Sequence, residues 1–147
     1  MIYTYAYPRP SVTVDILILK NILSKPQLLL IERKHEPFKN KWALPGGFVD
    51  IDEEIEDAAF RELKEETFIS EINLEQFKTF GKIGRDPRGR TISIVYFGIL
   101  ENSSQEIKAG DDAKDLNWFD IENLPELAFD HREIIDLFYQ KKKSSFR

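Results

Sequence analysis

Three glutamates near the middle of the chain are spaced so that their carboxylates face the same way. Glu62, Glu65 and Glu66 stand at positions i, i+3 and i+4, which are neighbours on one face of a helix. Like charges at this spacing destabilise an isolated helix by about a few tenths of a kcal/mol per pair. Carboxylate oxygens suit Mg²⁺ or Mn²⁺, which also bind water and substrate phosphates. The cluster therefore predicts a metal site that polarises a phosphoryl group or activates water.

The alternative for these glutamates is a solvated helix face, which is the more common meaning of a charge run. A solvated face normally interleaves lysines, and here only Lys64 intervenes. Arg61 lies one turn before Glu65 and is placed to orient a carboxylate. The preceding pair Gly46 and Gly47 suits a loop that passes close to a metal and a diphosphate, where side chains do not fit. A plain tight turn explains the two glycines equally well.

The helix that carries the glutamates is predicted from its apolar period. Ile55, Ala59 and Leu63 recur at i, i+4 and i+8, which is the period of an amphipathic helix. The helix therefore runs from about Glu53 to about Thr67.

Strands are predicted on both sides of this helix. Residues 11–20 alternate apolar and polar side chains, which predicts a strand with one buried face. The apolar run within 27–32 predicts a second strand that is covered on both faces. A last helix begins at Asp130, with Glu133 in capping-box spacing. Further strands are predicted over residues 77–83, 91–100 and 116–119.

The order of elements is strands, helix, strands, helix, without strict alternation of strand and helix. Residues 33–45 form a long polar connection that ends at the glycine pair, where regular structure breaks. This order favours an α+β fold, a mixed β-sheet sandwich with helices packed on the sheet faces in an α/β/α arrangement. At 147 residues, the sequence predicts a single domain over residues 1–147.

Composition excludes several classes of function. The formal net charge of −5 argues against a general nucleic-acid binder, whose phosphate contacts need a basic surface. The sequence has no cysteine, which excludes disulfides, thiolate metal sites and a cysteine nucleophile. No apolar run reaches membrane-spanning length, so we expect no membrane partner. A cytoplasmic location is the default expectation.

The residues around the glutamate helix resemble the signature of the Nudix hydrolase family. That signature reads Gly, five residues, Glu, seven residues, Arg-Glu, an aliphatic, any residue, Glu-Glu, any residue, Gly, an aliphatic. The match runs from Gly47 to Ile69 and holds at every fixed position except one, where Phe68 replaces the second Gly. A Gly there adopts positive φ at the end of the helix. Phe68 in that conformation costs on the order of 1 kcal/mol, unless the helix ends differently.

The resemblance implies a role for each matched residue. It implies that a backbone carbonyl at Gly46 or Gly47 completes the metal coordination, and that Glu53 and Arg61 brace the loop against the helix. The metal-binding glutamates of the family correspond to Glu62, Glu65 and Glu66.

Hydrolysis also needs a group that deprotonates or positions the attacking water. The family often uses an acidic residue on a loop far along the chain, and Asp111 and Asp112 are the candidates here. Asp112 is our choice, and an acidic loop without a catalytic role is the alternative.

The wider chain resembles the branch of the family that is similar to ADP-ribose pyrophosphatase. The branch implies Mg²⁺- or Mn²⁺-dependent cleavage of a small nucleotide substrate, ADP-ribose, to AMP and ribose 5-phosphate. Arg85, Arg88 and Arg90 offer guanidinium groups to phosphates or ribose, and a solvated hairpin turn explains them equally well. The resemblance is carried by residues 7–15, 41–49, 85–90 and 128–131.

Two other functions are compatible with the same sequence. One is a nucleoside triphosphate pyrophosphohydrolase that removes damaged nucleotides, with the same helix chemistry and a different pocket. The other is a non-catalytic module that senses ADP-ribose or another nucleotide, as in regulators of the same branch that add a DNA-binding domain. We expect no such domain, because the chain ends soon after its last helix, near Tyr139, and a sensor would not need intact glutamates.

Several aromatic and histidine side chains have less specific meanings. Tyr3, Tyr5 and Tyr7 suit stacking on a base, packing on a neighbour or a homodimer contact, and the sequence requires none of these. His131 is expected to be a surface residue of the last helix, and Trp42 to pack in the core or a loop.

Overall fold

A computed structural model describes residues 2–101, 107–110 and 113–146 of the chain. Its strands are β1 Ser11–Lys20, β2 Gln27–Arg33, β3 Trp42–Ala43, β4 Gly46–Phe48, β5 Glu75–Phe80, β6 Thr91–Ile99 and β7 Ala113–Asp120. Its helices are α1 Ile55–Thr67 and α2 His131–Lys142, and a 3₁₀ turn follows over Lys143–Phe146.

Strand β1 is the centre of a mixed sheet. It runs parallel to β6 and antiparallel to both β2 and β4. The main path of the sheet is β3-β2-β1-β6-β5, and β7 extends it by pairing with β2.

The two helices cover opposite faces of this sheet, because side chains of a strand alternate between its faces. On one face, Leu17 and Leu19 of β1 share a core with Phe138 of α2. On the other face, Ile16 of β1 shares a core with Leu63 of α1. The predicted α/β/α sandwich is therefore confirmed.

The expectation of one buried face for β1 is wrong. Residues 13–19 are buried without interruption, because helices cover both faces of the sheet. Asp15 interrupts the apolar series, yet only 8% of it is exposed. The expectation that β2 is covered on both faces is confirmed, since Leu28, Leu29 and Leu30 are fully buried.

The segment predicted as a long polar connection, residues 33–45, contains the short strand β3, and β4 begins at the glycine pair, where regular structure was expected to break. Trp42 of β3 pairs with Glu32, and Gly46 of β4 pairs with Asp15. The ring of Trp42 packs edge-on against Phe119 at 4.8 Å between centroids, which confirms its packing role. Strands this short have no periodicity of their own, so only their partners define them.

Among the described residues, no helix is both long and apolar enough to cross a membrane.

Candidate active site

Helix α1 presents Glu62 and Glu66 towards β4 and the cavity beside it. Leu63 and Ala59 are fully buried against the sheet, which fixes the rotation of the helix about its axis. Glu66 is 6% exposed and the side chain of Glu62 is 14% exposed, whereas that of Glu65 is 57% exposed. Two of the carboxylates thus lie in the cavity wall and the third remains open to solvent.

The glycine pair lies directly against this face of α1. The Gly46 amide donates a hydrogen bond to Glu66 Oε1 at 2.8 Å. A Cβ on Gly47 would collide with the Glu62 carboxylate, and a Cβ on Gly46 would collide with the Val14 carbonyl. A side chain at Gly47 would therefore push the loop away from the helix, and one at Gly46 would push it away from β1. The close approach to a metal and a diphosphate that was expected of these glycines stays a prediction.

Arg61 joins the loop to the helix through a fork of hydrogen bonds. Its Nε and Nη2 donate to both carboxylate oxygens of Glu53, at 2.6 Å and 3.0 Å, and Nη2 also donates to the Phe48 carbonyl at 3.0 Å. Nη1 donates to Glu62 at 2.8 Å and to Glu65 at 3.2 Å. The Glu53 hydrogen bond raises the pKa of Arg61, and the same bond lowers the pKa of Glu53. The contact between Glu53 and Arg61 that the family signature implies is present.

The donor set of this site fits a divalent metal. The carboxylates are hard oxygen ligands, and the missing side chain of Gly47 leaves room for the Glu62 carboxylate. Within the described residues, however, no three acidic or histidine side chains already surround one point. Instead, Arg61 binds Glu62 and Glu65, and the Gly46 amide binds Glu66. Metal ligation by the three glutamates therefore remains a proposal.

A cavity of about 410 Å³ extends from Glu62 and Glu66 over residues of β1, β2 and β4. It combines the acidic wall of α1 with guanidinium groups and aromatic rings, a mixture that suits a ligand with phosphates and a flat ring. Four arginines, Arg33, Arg61, Arg85 and Arg88, and two aromatic residues, Phe48 and Phe129, contribute to its lining.

Arg85 is held inside the protein by an aspartate. Its Nε and Nη2 donate to both oxygens of Asp130, at 2.9 Å and 2.7 Å, and the Asp15 carboxylate lies 4.0 Å away. Burial lowers the pKa of Arg85, but the hydrogen bonds that Arg85 donates to Asp130 and the negative charges of Asp130, Asp15 and Asp86 together outweigh it and leave the pKa raised. Asp130 stands at the start of α2 as predicted, but its side chain makes no capping hydrogen bond there. The expected capping box is therefore wrong, because the buried guanidinium takes the carboxylate.

Arg88 lies at the cavity between two aromatic rings. Its guanidinium carbon is 4.9 Å from the centroid of Phe48 and 5.3 Å from that of Phe129. Its Nε and Nη2 donate to Asp86 at 3.1 Å and 2.8 Å. The guanidinium of Arg90 instead donates to the Gly81 carbonyl at 2.7 Å, and Arg90 does not contribute to the cavity lining. The structure thus places Arg85 and Arg88 at the cavity, and substrate binding by all three arginines stays a prediction.

His131 is buried, with 3% of it exposed, so the expected surface position is wrong. Its Nδ1 accepts a hydrogen bond from the Leu44 amide at 3.1 Å, and its Nε2 lies 3.6 Å from Asp15. The first residue of α2 therefore supports the loop that leads to the glycine pair.

We expect the stability of the fold to decrease as His131 becomes protonated. Burial lowers the pKa of His131 below its ordinary value of 6.5, so the unfolded chain binds the proton more readily than the folded one. The free energy of unfolding should therefore fall as pH drops below 6.5. Denaturant unfolding over a pH series measures this slope. The variant His131→Asn keeps an acceptor for Leu44, and an unchanged slope in that variant would contradict the assignment.

Phe68 ends α1 in the left-handed conformation, at the position where the family signature has Gly. Its φ is 65° and its ψ is 11°, and its amide donates to the Lys64 carbonyl at 2.9 Å. Of the two expectations for this residue, the strained end of the helix is the one observed.

The strain at Phe68 predicts a stability difference between two substitutions. Phe68→Gly should be more stable than Phe68→Ala by about 1 kcal/mol, because only the Ala variant retains a Cβ at positive φ. Both variants lose the same ring contacts, so their difference isolates the backbone. Chemical denaturation measures it, and equal stabilities would show that the αL conformation carries no penalty.

The predicted general base and the N-terminal tyrosines lie in other parts of the chain. Asp112, the proposed general base, and its neighbour Asp111 lie outside the described residues. Tyr3, Tyr5 and Tyr7 are exposed, and the rings of Tyr3 and Tyr5 stack with their centroids 6.4 Å apart.

The sequence reasoning missed several residues of the cavity. Asp15 was treated as the polar face of an alternating strand, although a carboxylate inside so apolar a segment is itself a signal. Phe129 and His131 lie within a segment that carried the family resemblance, yet neither received a role. Arg33 gave no signal in the sequence, since its position at the cavity depends on how β2 pairs.

Comparison with known proteins agrees with the geometry of the site. A family model described as NUDIX domain matches residues 9–138. An ADP-ribose pyrophosphatase of Methanocaldococcus jannaschii is 48% identical over 129 residues, which are 88% of this chain and 73% of that protein. The ADPR responsive transcriptional repressor NtrR of Acinetobacter baylyi is 35% identical over 147 residues, 96% of this chain and 58% of that protein.

A solved structure of similar fold contains a ligand. It is the NUDIX domain of Shewanella oneidensis NrtR complexed with ADP ribose, with a TM-score of 0.83 and 30% identity. The match covers 92% of this chain and 90% of that chain. The α/β/α fold, the glutamate helix with its glycine loop and these matches together show that the chain belongs to the Nudix family.

Proposed function

We propose that this chain is a Mg²⁺- or Mn²⁺-dependent Nudix pyrophosphohydrolase that cleaves ADP-ribose to AMP and ribose 5-phosphate. One observation carries the proposal: a single cavity joins Glu62 and Glu66 of α1 to cationic and aromatic side chains. Its volume of about 410 Å³ lies in the usual range for small-molecule sites. The relative from M. jannaschii and the ADP-ribose complex of the S. oneidensis domain support this choice of substrate.

The chemistry divides between the metal and the protein. A divalent ion held by Glu62, Glu65, Glu66 and the main chain at Gly46 would neutralise the diphosphate and make bound water more acidic. Water adds to one phosphorus atom, the bond from that phosphorus to the bridging oxygen breaks, and a proton is released.

The protein's own residues orient this reaction. Arg61 fixes the direction of two carboxylates and joins them to the loop at Phe48. Arg88 presents its guanidinium to the cavity, where it would bind a phosphate. Two hydrogen bonds to Asp86 hold the guanidinium in this orientation. Phe129 presents a ring against which a base or ribose packs. Water positioning by Asp112 stays a prediction.

The deciding experiment is a hydrolysis screen with Mg²⁺ over ADP-ribose, NADH, dinucleoside polyphosphates and oxidised nucleoside triphosphates. We expect AMP and ribose 5-phosphate from ADP-ribose, and no turnover once the metal is removed with EDTA. Pyrophosphate release from a triphosphate with no AMP from ADP-ribose would replace this proposal with nucleotide-pool cleansing.

A sensing role is the second candidate, and the similarity to the A. baylyi repressor favours it. The chain spans 58% of that protein, so the activity of the whole repressor does not transfer. ADP-ribose binding without release of AMP would support sensing and contradict hydrolysis.

The remaining predictions extend the proposal. We propose one Nudix domain over residues 1–147, because both cores share β1. A cytoplasmic location and a homodimer stay predictions.

A further inference from the structure

A short segment before β7 lies against the end of the glutamate helix. The Gly110 amide donates a hydrogen bond to the Glu66 carbonyl at 3.0 Å, and the Lys108 amide donates to the Thr67 carbonyl at 3.2 Å. Carbonyls in the last turn of a helix lack donors within the helix. Segment 107–110 therefore supplies the end of α1 with donors from the main chain.

Gly110 has no room for a side chain. A Cβ there would overlap the Glu65 carbonyl oxygen and would lie 2.7 Å from the Glu65 carbonyl carbon and 3.1 Å from Glu66 Cα. All three atoms belong to the backbone of α1, which cannot move aside as a flexible side chain can. The contact requires glycine because of this approach, since Gly110 is not among the glycines with positive φ.

Other contacts fix the segment at both ends. Lys108 Nζ lies 4.9 Å from the ring centroid of Phe68, the residue that replaces the signature glycine. Ile107 packs on the core beneath α1. At the other end, the Ala113 amide of β7 donates to the Gly110 carbonyl at 3.2 Å. The segment therefore connects the end of α1 to the sheet.

We propose that segment 107–110 is a positioning element of the active site, with Gly110 as its essential residue. It holds the backbone under Glu65 and Glu66, and so sets where their carboxylates meet a metal. The inference rests on the proposed metal site. Catalysis is sensitive to such positioning, because a displacement of about 1 Å can cost about a hundredfold in rate.

The test compares two glycines. Gly110→Ala should lower kcat about tenfold or more and weaken Mn²⁺ binding about tenfold, with KM changed less than about threefold. Gly81→Ala is the matched control, because its Cβ would meet only side-chain atoms, the nearest 3.7 Å away on Ile92. Calorimetric titration with Mn²⁺ gives a readout independent of turnover. Wild-type kcat and Mn²⁺ affinity in a folded Gly110→Ala protein would overturn the inference.

A second measurement needs no variant. If segment 107–110 favours metal binding by holding the end of α1, metal binding must in turn favour the packed segment, because such coupling is reciprocal. Mg²⁺ should therefore slow hydrogen exchange at the Lys108 and Gly110 amides. The amide of Ile121, which donates to the Pro26 carbonyl at 3.1 Å, serves as an internal control. Unchanged exchange at Lys108 and Gly110 in protein that binds Mg²⁺ would refute the positioning role alone. Wild-type protein that binds no Mg²⁺ would instead refute the proposed function.

Discussion

Replacing Glu66 with Gln should reduce turnover of ADP-ribose about a hundredfold or more and leave the fold intact. Glu66 is nearly buried and its carboxylate lies in the wall of the cavity. The Gln amide oxygen can still accept the hydrogen bond from Gly46, so the loop should keep its place. What is lost is a negative charge that would hold the metal, and single electrostatic groups of this kind contribute about 10²–10³ in rate.

The matched control for this variant lies on the same helix. Glu56→Gln removes an equal charge from the exposed first turn of α1, and its kcat should equal that of wild type. Initial rates of AMP release and unfolding midpoints separate an effect on chemistry from an effect on folding. Full activity in Glu66→Gln would exclude Glu66 from the reaction.

Asp130→Ala should cost about 3 kcal/mol of unfolding free energy, the usual price of breaking a buried ion pair. The side chains of Arg85 and Asp130 are only 4% and 10% exposed, and both oxygens of Asp130 accept hydrogen bonds from Arg85. Without Asp130, the guanidinium stays buried with the Asp15 carboxylate no nearer than 4.0 Å. Denaturant unfolding at neutral pH measures the loss.

Two further variants show how the result for Asp130→Ala is to be interpreted. The double variant Arg85→Met with Asp130→Leu should lose less stability than Asp130→Ala, because it leaves no buried charge unpaired. Glu126→Ala breaks the exposed pair with Lys41, whose atoms are 2.7 Å apart, and should cost less than about 1 kcal/mol. An Asp130→Ala protein as stable as Glu126→Ala would show that Arg85 does not depend on Asp130.

Local sequence patterns predicted the parts of the structure that depend on neighbours along the chain. The apolar period placed the glutamate helix at about 53–67, and it is observed at Ile55–Thr67. The family spacing implied that Glu53 and Arg61 brace the loop against the helix, and their side chains are hydrogen-bonded. These contacts join residues within one loop and one helix, so their geometry follows from short spacings.

Contacts between segments that are distant in the sequence could not be predicted from local patterns. The short strands β3 and β4 exist only because β2 and β1 accept them as partners. Asp130 carries a helix-capping pattern, but Arg85, distant in sequence, takes its carboxylate. The burial of His131 could not be predicted, since its hydrogen bond comes from the amide of Leu44, in another part of the chain. In each case a tertiary partner overrides a local preference.

The parallel pairing of β1 with β6 has a consequence for how the chain reaches its native state. In the chain, β1 is separated from its neighbour on that side by α1 and the strands β2 to β5. Closing so long a loop is entropically costly, and folds dominated by such distant contacts form slowly. Until β6 pairs with it, the backbone N–H and C=O groups on that edge of β1 lack partners and can pair with another chain. Refolding should therefore compete with aggregation, and its yield should rise as the protein is diluted.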